Sequence, residues 1–379
     1  MFQPQSNFCQ NAHGKEGIRM NYQKRVEKIQ KKFLEDGLDA LLLTRGTDIR
    51  YLSGFTGEDK VAVLVLTEKK QFFITDGRFT NQAAMETENW EILLWRSGSS
   101  LYKETGLLLH QLQIKRAAVD IYDISHGSYQ ELSQVWEGSL EFCKPYVSNL
   151  RRVKEKEELE LIKQACKITE DSFLAFLPKV SVGMTEMELR NILEAEFRVR
   201  GSEAVSFDTI VASGSDNGGN PHASLTGRKI EKGDMITVDF GAKYQGYCSD
   251  ITRTFAVGKP DKKLQEIYQV VYEAKQAGRE LLKCGVQASA VDGAIRSVIE
   301  QAGYSLVHGP GHGFGLDIHE NPFLGPGNAY AMEEMVVHTL EPGIYVPGLG
   351  GVRIEDDYLI QKDGGECLTP QITEELIIL

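Results

Sequence analysis

Up to about residue 150 the chain alternates between helical periodicity and short apolar runs. "YQKRVEKIQKKFLEDG" places apolar residues three and four apart and closes on Gly37, which predicts an amphipathic helix. "LDALLLT", "KVAVLVLT", "KQFFITD" and "KRAAVDI" are short apolar runs of the kind that buried strands show. Together they predict a small α/β domain over residues 22–150, in the order helix, strand, strand, helix, strand, helix. The charged run opening "RRVKEKEELELIKQACKITEDSFLAFL" then predicts a long helix dense in i,i+4 charge pairs, with the domain boundary just before it.

Beyond that boundary the pattern repeats. "LRNILEAEFRVRG" resembles "VDGAIRSVIEQAG", each a helix closed by glycine. The first is followed by Thr237-Val238-Asp239-Phe240-Gly241 and the second by Thr339-Leu340-Glu341-Pro342-Gly343, so each unit ends a strand with an acid two residues before a glycine. A second acid follows on the next strand, Asp250 in "CSDITRT" and Glu355 in "GVRIEDDYLI". A duplicated helix–helix–hairpin unit would bring four carboxylates to one centre by pseudo-twofold symmetry, which makes residues 151–379 an α+β domain with an internal repeat.

The first hairpin, "VDFGAKYQGYCSDITRTF", can be set in register. Gln245-Gly246 reads as a tight turn, so position i pairs with 491 minus i. Asp239 then faces Thr252, and Asp250 faces Gly241. Both carboxylates share one face as diagonal neighbours, while Ile236, Val238, Phe240, Ile251 and Phe255 fill the other. Two anions this close repel unless a cation sits between them.

Composition narrows the partners. In 379 residues the net charge is −12, with no long Lys/Arg run, which argues against nucleic acid or an anionic membrane. No apolar run approaches the ~18 residues of a membrane span. Residues 1–21 lack an apolar signal core and are expected to be a disordered leader. The six cysteines (9, 143, 166, 248, 284 and 367) show no metal or disulfide spacing, as expected of reduced thiols in a cytoplasmic protein, and Cys248 reads as a packing residue.

Between the hairpins lies "VHGPGHGFGLDIHENP", with His308, His312 and His319, and with glycines 309, 311, 313 and 315 that allow unusual backbone angles and close approach. The glycines fit no phosphate-binding loop, and "HENPF" is not the H-E-x-x-H of zinc proteases. Asp239, Asp250, His312, Glu341 and Glu355 form an oxygen-rich donor set that suits two ions of the Mn²⁺, Co²⁺ or Fe²⁺ kind better than structural zinc.

"NPHASLTGRKIEKGDMITVDFGAKYQGYCSDITRTF", "GPGHGFGLDIHE", "TLEPGIY" and "GGVRIEDD" make the chain resemble the pita-bread metallopeptidases, in particular the branch of aminopeptidase P and Xaa-Pro dipeptidase (prolidase). "SGFTG" and "ITDGRFTNQA" resemble that branch's creatinase-like N-terminal domain, and the match runs in order across nearly all of residues 22–379. The resemblance implies metal ligands Asp239, Asp250, His312, Glu341 and Glu355 for two divalent ions, most simply Mn²⁺, with Co²⁺, Zn²⁺ or Fe²⁺ as alternatives. It implies hydrolysis of the Xaa-Pro bond by a hydroxide shared between them, on small peptides with proline second. Glu341 would take the water's proton, His222 and His319 would hydrogen-bond the scissile carbonyl, His308 would line the proline pocket, and Arg353 would orient Glu355 or a substrate carboxylate. A homodimer is also implied.

Two departures from the family pattern stand out. "EEMVVHTLEPG" lacks the usual glycine and is one residue longer, so a bulge at His338 is expected before Glu341. The glycine-rich "SGSDNGGNPH" predicts a mobile loop presenting His222. The competing readings are a methionine aminopeptidase, which shares the ligands but normally lacks the long N-terminal domain and the Arg-x-Glu at 353–355; a metal-free creatinase-like hydrolase; and a non-catalytic pita-bread binding module. Intact ligands argue against the last two.

Overall fold

The computed structural model describes residues 18, 20–143 and 146–379, so the leader expected over residues 1–21 lies almost wholly outside the described residues. The first structural unit is built on a six-stranded sheet in the order Glu91–Leu94, Gln71–Thr75, Ala62–Thr67, Ala40–Leu43, Arg116–Asp120, Ser139–Cys143. The Ala62–Thr67 strand runs antiparallel to both its neighbours, and the other pairs are parallel. The four central strands are the four apolar runs of the sequence. The two edge strands are half wet, as an edge position leaves them: no residue of either is buried, although Ile92-Leu93-Leu94 in the first is itself a short apolar run. Helix Tyr22–Glu35, capped by Asn21 through a 3.0 Å bond from Lys24 N–H, buries Val26, Ile29 and Phe33 against the sheet.

The charged run after residue 150 is divided differently from its sequence pattern. Tyr146–Arg151 forms a short helix of its own, and the long helix, Lys156–Phe176, starts only after Glu155, which caps it jointly with Glu158. Among the described residues this helix forms one i,i+4 ion pair, Lys167–Asp171 at 2.8 Å. Arg151, Lys154 and Glu158 are buried in tertiary contacts instead.

The repeat is realised in the second unit. Helices Lys156–Phe176 and Glu186–Val199 pack together, as do Lys262–Leu281 and Ala288–Gln301. The first pair is followed by strands Ile210–Ser213, Met235–Phe240 and Ile251–Ala256, with Met235–Phe240 in the middle of its sheet. The second is followed by His312–Gly313, Val337–Leu340 and Asp356–Ile360, with Val337–Leu340 between the other two.

The first hairpin has the register its turn predicts: Thr252 opposes Asp239, Ile251 opposes Phe240, and Cys248 opposes Lys243. Gln245 (φ 45°) and Gly246 (φ 86°) both lie in the left-handed region, as a type I′ turn requires. The expected pair Asp250–Gly241 falls in the gap between two ladder segments. Ile236, Val238, Phe240, Ile251 and Phe255 share a core with Phe173, Phe176 and Phe197, and the Phe173 and Phe240 rings stack at 4.9 Å.

The expected bulge at His338 is absent. Val337–Leu340 pairs with Asp356–Leu359 in unbroken register, His338 is fully buried, and the irregularity lies at His312/Gly313 instead. Nor do glycines 309, 311, 313 and 315 adopt positive φ. Their service is close approach: a Cβ on Gly311 would stand 2.3 Å from the Thr339 carbonyl oxygen. Among the described residues no helix is long and apolar enough to cross a membrane.

Candidate metal centre and active site

The two hairpins meet face to face. Thr237 Oγ1 donates to the Gly351 carbonyl at 3.4 Å, Thr254 Oγ1 donates to the Arg353 carbonyl at 3.0 Å, and Glu355 N–H donates to the Thr252 carbonyl at 3.0 Å. The acid-and-hydroxyl face of the first repeat is thus closed by the second. At their junction opens a cavity of about 490 Å³, whose lining includes Asp239, Asp250, His312, Glu341, Glu355, His222, His308, His319 and Arg353. Every site residue expected from the sequence therefore faces one space.

Asp250, His312 and Glu355 each offer a ligand atom within 4.8 Å of the others. His312 Nε2 lies 3.5 Å from Asp250 Oδ2 and 3.4 Å from Glu341 Oε1. Its Nδ1 faces the Gly313 carbonyl at 3.1 Å, an arrangement that keeps Nε2 as the lone-pair donor. Burial pulls the His312 pKa down to about 3, helped by His319 and His338, so the ring is neutral. Thr252 Oγ1 donates to Glu355 Oε2 at 2.5 Å and Thr339 Oγ1 to Glu341 Oε1 at 3.3 Å, while Asp239 Oδ1 and Glu355 Oε1 are buried without a partner.

The electrostatics point the same way. Burial pushes Glu341 up to about 8 against the pull of Arg353, with Asp239 adding repulsion. Asp250 and Glu355 are held well above the usual carboxylate range by burial and then by their acidic neighbours. Four carboxylates and a neutral imidazole, two of their oxygens unpartnered, fit divalent cations, which would offset both the burial and the repulsion.

Arg353 faces Asp239 rather than Glu355. Its Nη2 donates to Asp239 Oδ2 at 2.6 Å, its Nε to Thr252 Oγ1 at 3.1 Å, and its Nη1 to the Pro221 carbonyl at 3.1 Å and to the Tyr345 hydroxyl. Tyr345 also meets His308 Nε2 at 3.1 Å, and the rings of His312 and His319 contact edge-on at 4.5 Å. His222 is exposed at the cavity, but both ends of its loop are tied to the buried Glu186. That carboxylate accepts from Ser213 N (2.9 Å), Asn217 Nδ2 (2.9 Å) and Thr226 N (2.9 Å). Phe207, Ile210, Pro221, Ile318, Phe323 and Leu324 give the cavity an apolar wall.

Sequence reasoning missed Tyr345, Thr339 and Glu186, and it placed Thr252 opposite Asp239 without its bond to Glu355. Thr339 had a signal, since it matches Thr237 in the repeat. Tyr345 lies inside "TLEPGIY" but looks there like any strand aromatic. Glu186 is recognisable only once the fold brings residues 213–226 over it.

Residues 160–362 match metallopeptidase family M24, and residues 25–153 match the creatinase/prolidase N-terminal domain. The uncharacterized peptidase YqhT of Bacillus subtilis is 39% identical over 358 residues, covering 94% of this chain and 100% of its own length. Among solved structures, the Xaa-Pro dipeptidase from Bacillus anthracis superposes with a TM-score of 0.89 at 37% identity, covering 95% of this chain and 100% of that one. An X-Pro aminopeptidase from Thermotoga maritima superposes with a TM-score of 0.83 at 34% identity, covering 94% and 100%.

Proposed function

The chain belongs to metallopeptidase family M24 and has its pita-bread fold, and from that premise we propose that it hydrolyses the peptide bond between an N-terminal residue and a following proline. The observation that carries the proposal is the convergence of four carboxylates and the neutral His312 in a cavity with an apolar wall. Asp239, Asp250, His312, Glu341 and Glu355 would hold two divalent ions, which supply Lewis acidity and make water acidic enough to attack near neutral pH. Glu341 accepts the proton of the attacking water, with Thr339 fixing one of its oxygens. His222 and His319 donate to the carbonyl oxygen as negative charge develops there. His308, held by Tyr345, borders the pocket for the pyrrolidine ring. Arg353 fixes Asp239, and four acceptors already occupy its guanidinium. Proline lacks the N–H that general peptidases use and has a fixed φ, so a rigid apolar wall suits it.

The resident ions are taken to be Mn²⁺, in keeping with the oxygen-rich donors. Residues 22–150 and 151–379 are taken as the two domains, a division supported by the two family matches. We further take the chain to work as a homodimer in the cytoplasm; five free cysteines among the described residues accord with a reducing compartment. The test is a peptide panel of Ala-Pro, Ala-Pro-Ala, a longer Xaa-Pro peptide and Met-Ala-Ser, with products identified by mass. Cleavage only at Xaa-Pro is expected. Preference for Met-Ala-Ser would overturn the proposal in favour of a methionine aminopeptidase. The ratio of Ala-Pro to Ala-Pro-Ala turnover separates dipeptidase from aminopeptidase action.

A further inference from the structure

His319 stands in "GLDIHE", flanked by Asp317 and Glu320, and both acids are gripped by Arg151, at the boundary between the two domains. Arg151, fully buried, donates from Nη2 to Asp317 Oδ2 at 2.7 Å and to Glu320 Oε1, and from Nη1 to Asp48 Oδ1 at 2.7 Å and Thr47 Oγ1 at 3.1 Å. Asp48 and Thr47 belong to the N-terminal helix Gly46–Ser53, and Thr47 Oγ1 itself donates to Asp317 Oδ2 at 3.1 Å. Arg45 adds a 3.2 Å ion pair to Asp317, and Lys154 Nζ reaches Glu320 Oε2 at 2.9 Å. Gly315 is bare where the cluster passes, since a Cβ there would stand 2.9 Å from Glu320 Oε1 and 3.0 Å from Lys154 Nζ.

Stability alone does not call for charges here. The cost of burying the Glu320 carboxylate is more than offset by Arg151 and Lys154, which hold its pKa down to about 2, but apolar packing at a domain junction can stabilise as well. What the charges add is direction: the planar guanidinium fixes two acids at once and joins them to the N-terminal helix. We propose that the Arg151–Asp48–Asp317–Glu320 cluster is a positioning device through which the N-terminal domain sets the geometry of His319. It rests on the reading of His319 as a group that meets the scissile carbonyl. Arg151, Asp48 and Thr47 are positioning residues, acting through the backbone on either side of His319.

The test uses the full chain loaded with Mn²⁺, whichever of Ala-Pro and Ala-Pro-Ala it turns over faster as substrate, and Asp48→Asn and Thr47→Val each made alone and with His319→Ala. Thr47→Val removes only hydroxyl bonds and leaves every charge in place, so it carries the test if Asp48→Asn does not fold. Asp48→Asn is expected to lower kcat about 10–100-fold and Thr47→Val about threefold, with metal per chain unchanged, and each to change kcat less than about twofold once His319 is gone. Losses of equal size in both backgrounds would overturn the proposal. Wild-type kcat in His319→Ala would instead remove the catalytic role given to that histidine. Positioning is then read directly by hydrogen–deuterium exchange, where Asp48→Asn should speed the amides of residues 316–320 about tenfold and leave Met235–Phe240 unchanged. Unaltered exchange over 316–320 would overturn it.

Discussion

Equivalent hairpins of the two repeats do different work beyond their acids. Past Asp239 the first extends through Ala242–Tyr244 and Tyr247–Cys248 and turns away from the cavity. There the Tyr247 hydroxyl donates to Glu158 at 3.0 Å, Gly246 N–H donates to Glu203 at 2.7 Å, and Cys248 N–H donates to the Gly315 carbonyl at 2.8 Å. Past Glu341 the second extends through Gly343–Val346 and Gly350–Arg353, lies against the first hairpin, and delivers Tyr345 and Arg353 to the site. One duplicated unit thus supplies a joint to the rest of the protein in one copy and a wall of the active site in the other. Pseudo-symmetry sets where the ligands stand. The extensions, free of that constraint, set what surrounds them.

The two copies differ most in what their acids do. Asp239 and Glu341 occupy equivalent places, but only Glu341 is assigned the proton. With metal saturating, Glu341→Gln should lower kcat by at least ~10²–10⁴, whereas Asp239→Asn should regain much of its activity as Mn²⁺ is raised. Equal residual rates at high Mn²⁺ would erase the distinction. A smaller effect is expected in the second extension. Tyr345→Phe deletes the hydroxyl between His308 and Arg353, and a kcat loss of about fivefold, near 1 kcal/mol, should come with a melting temperature lowered by no more than a few degrees. In the first extension the pattern should reverse. Gly246→Ala forces a side chain into φ 86° and against the Arg50 guanidinium, so roughly 1–2 kcal/mol of stability should go while kcat stays within about twofold. Thermal denaturation and steady-state kinetics on the same two proteins check both, and a kcat defect in Gly246→Ala would show that the first extension also shapes the site.

The first hairpin was legible because alternation and a Gln-Gly turn leave one register, although the ladder is interrupted where Asp250 would oppose Gly241. The repeat was legible because two acids keep the same offset from glycine in both copies. Three other features were not. The edge strands Glu91–Leu94 and Ser139–Cys143 are four and five residues long and bury no residue, too little to set them apart from half-buried loop. Charge alone does not separate a solvated helix face from the buried cluster of Arg151 and Lys154, because what decides is the presence of Asp48 and Glu320, 103 and 166 residues away in sequence from Arg151 and Lys154 respectively. The single longer segment at His338 suggested a bulge, yet its ring fits a fully buried place in a regular ladder, with Nδ1 facing the Thr339 carbonyl. The nine chemistry-bearing residues are named by motif, repeat and family resemblance, while hydrogen bonds that orient them across the two hairpins, such as Thr252 to Glu355, emerge only from the fold.

The central claim is that four carboxylates and one imidazole, drawn from both repeats, form a single dinuclear centre. It is tested most directly by elemental analysis of the chain after chelation, reloading with Mn²⁺ and gel filtration, with Xaa-Pro hydrolysis followed on the same samples. About two ions per chain are expected at full activity, and none, with no activity, after chelation. Full activity in a metal-free chain, or a saturated chain with one ion or none, would contradict it.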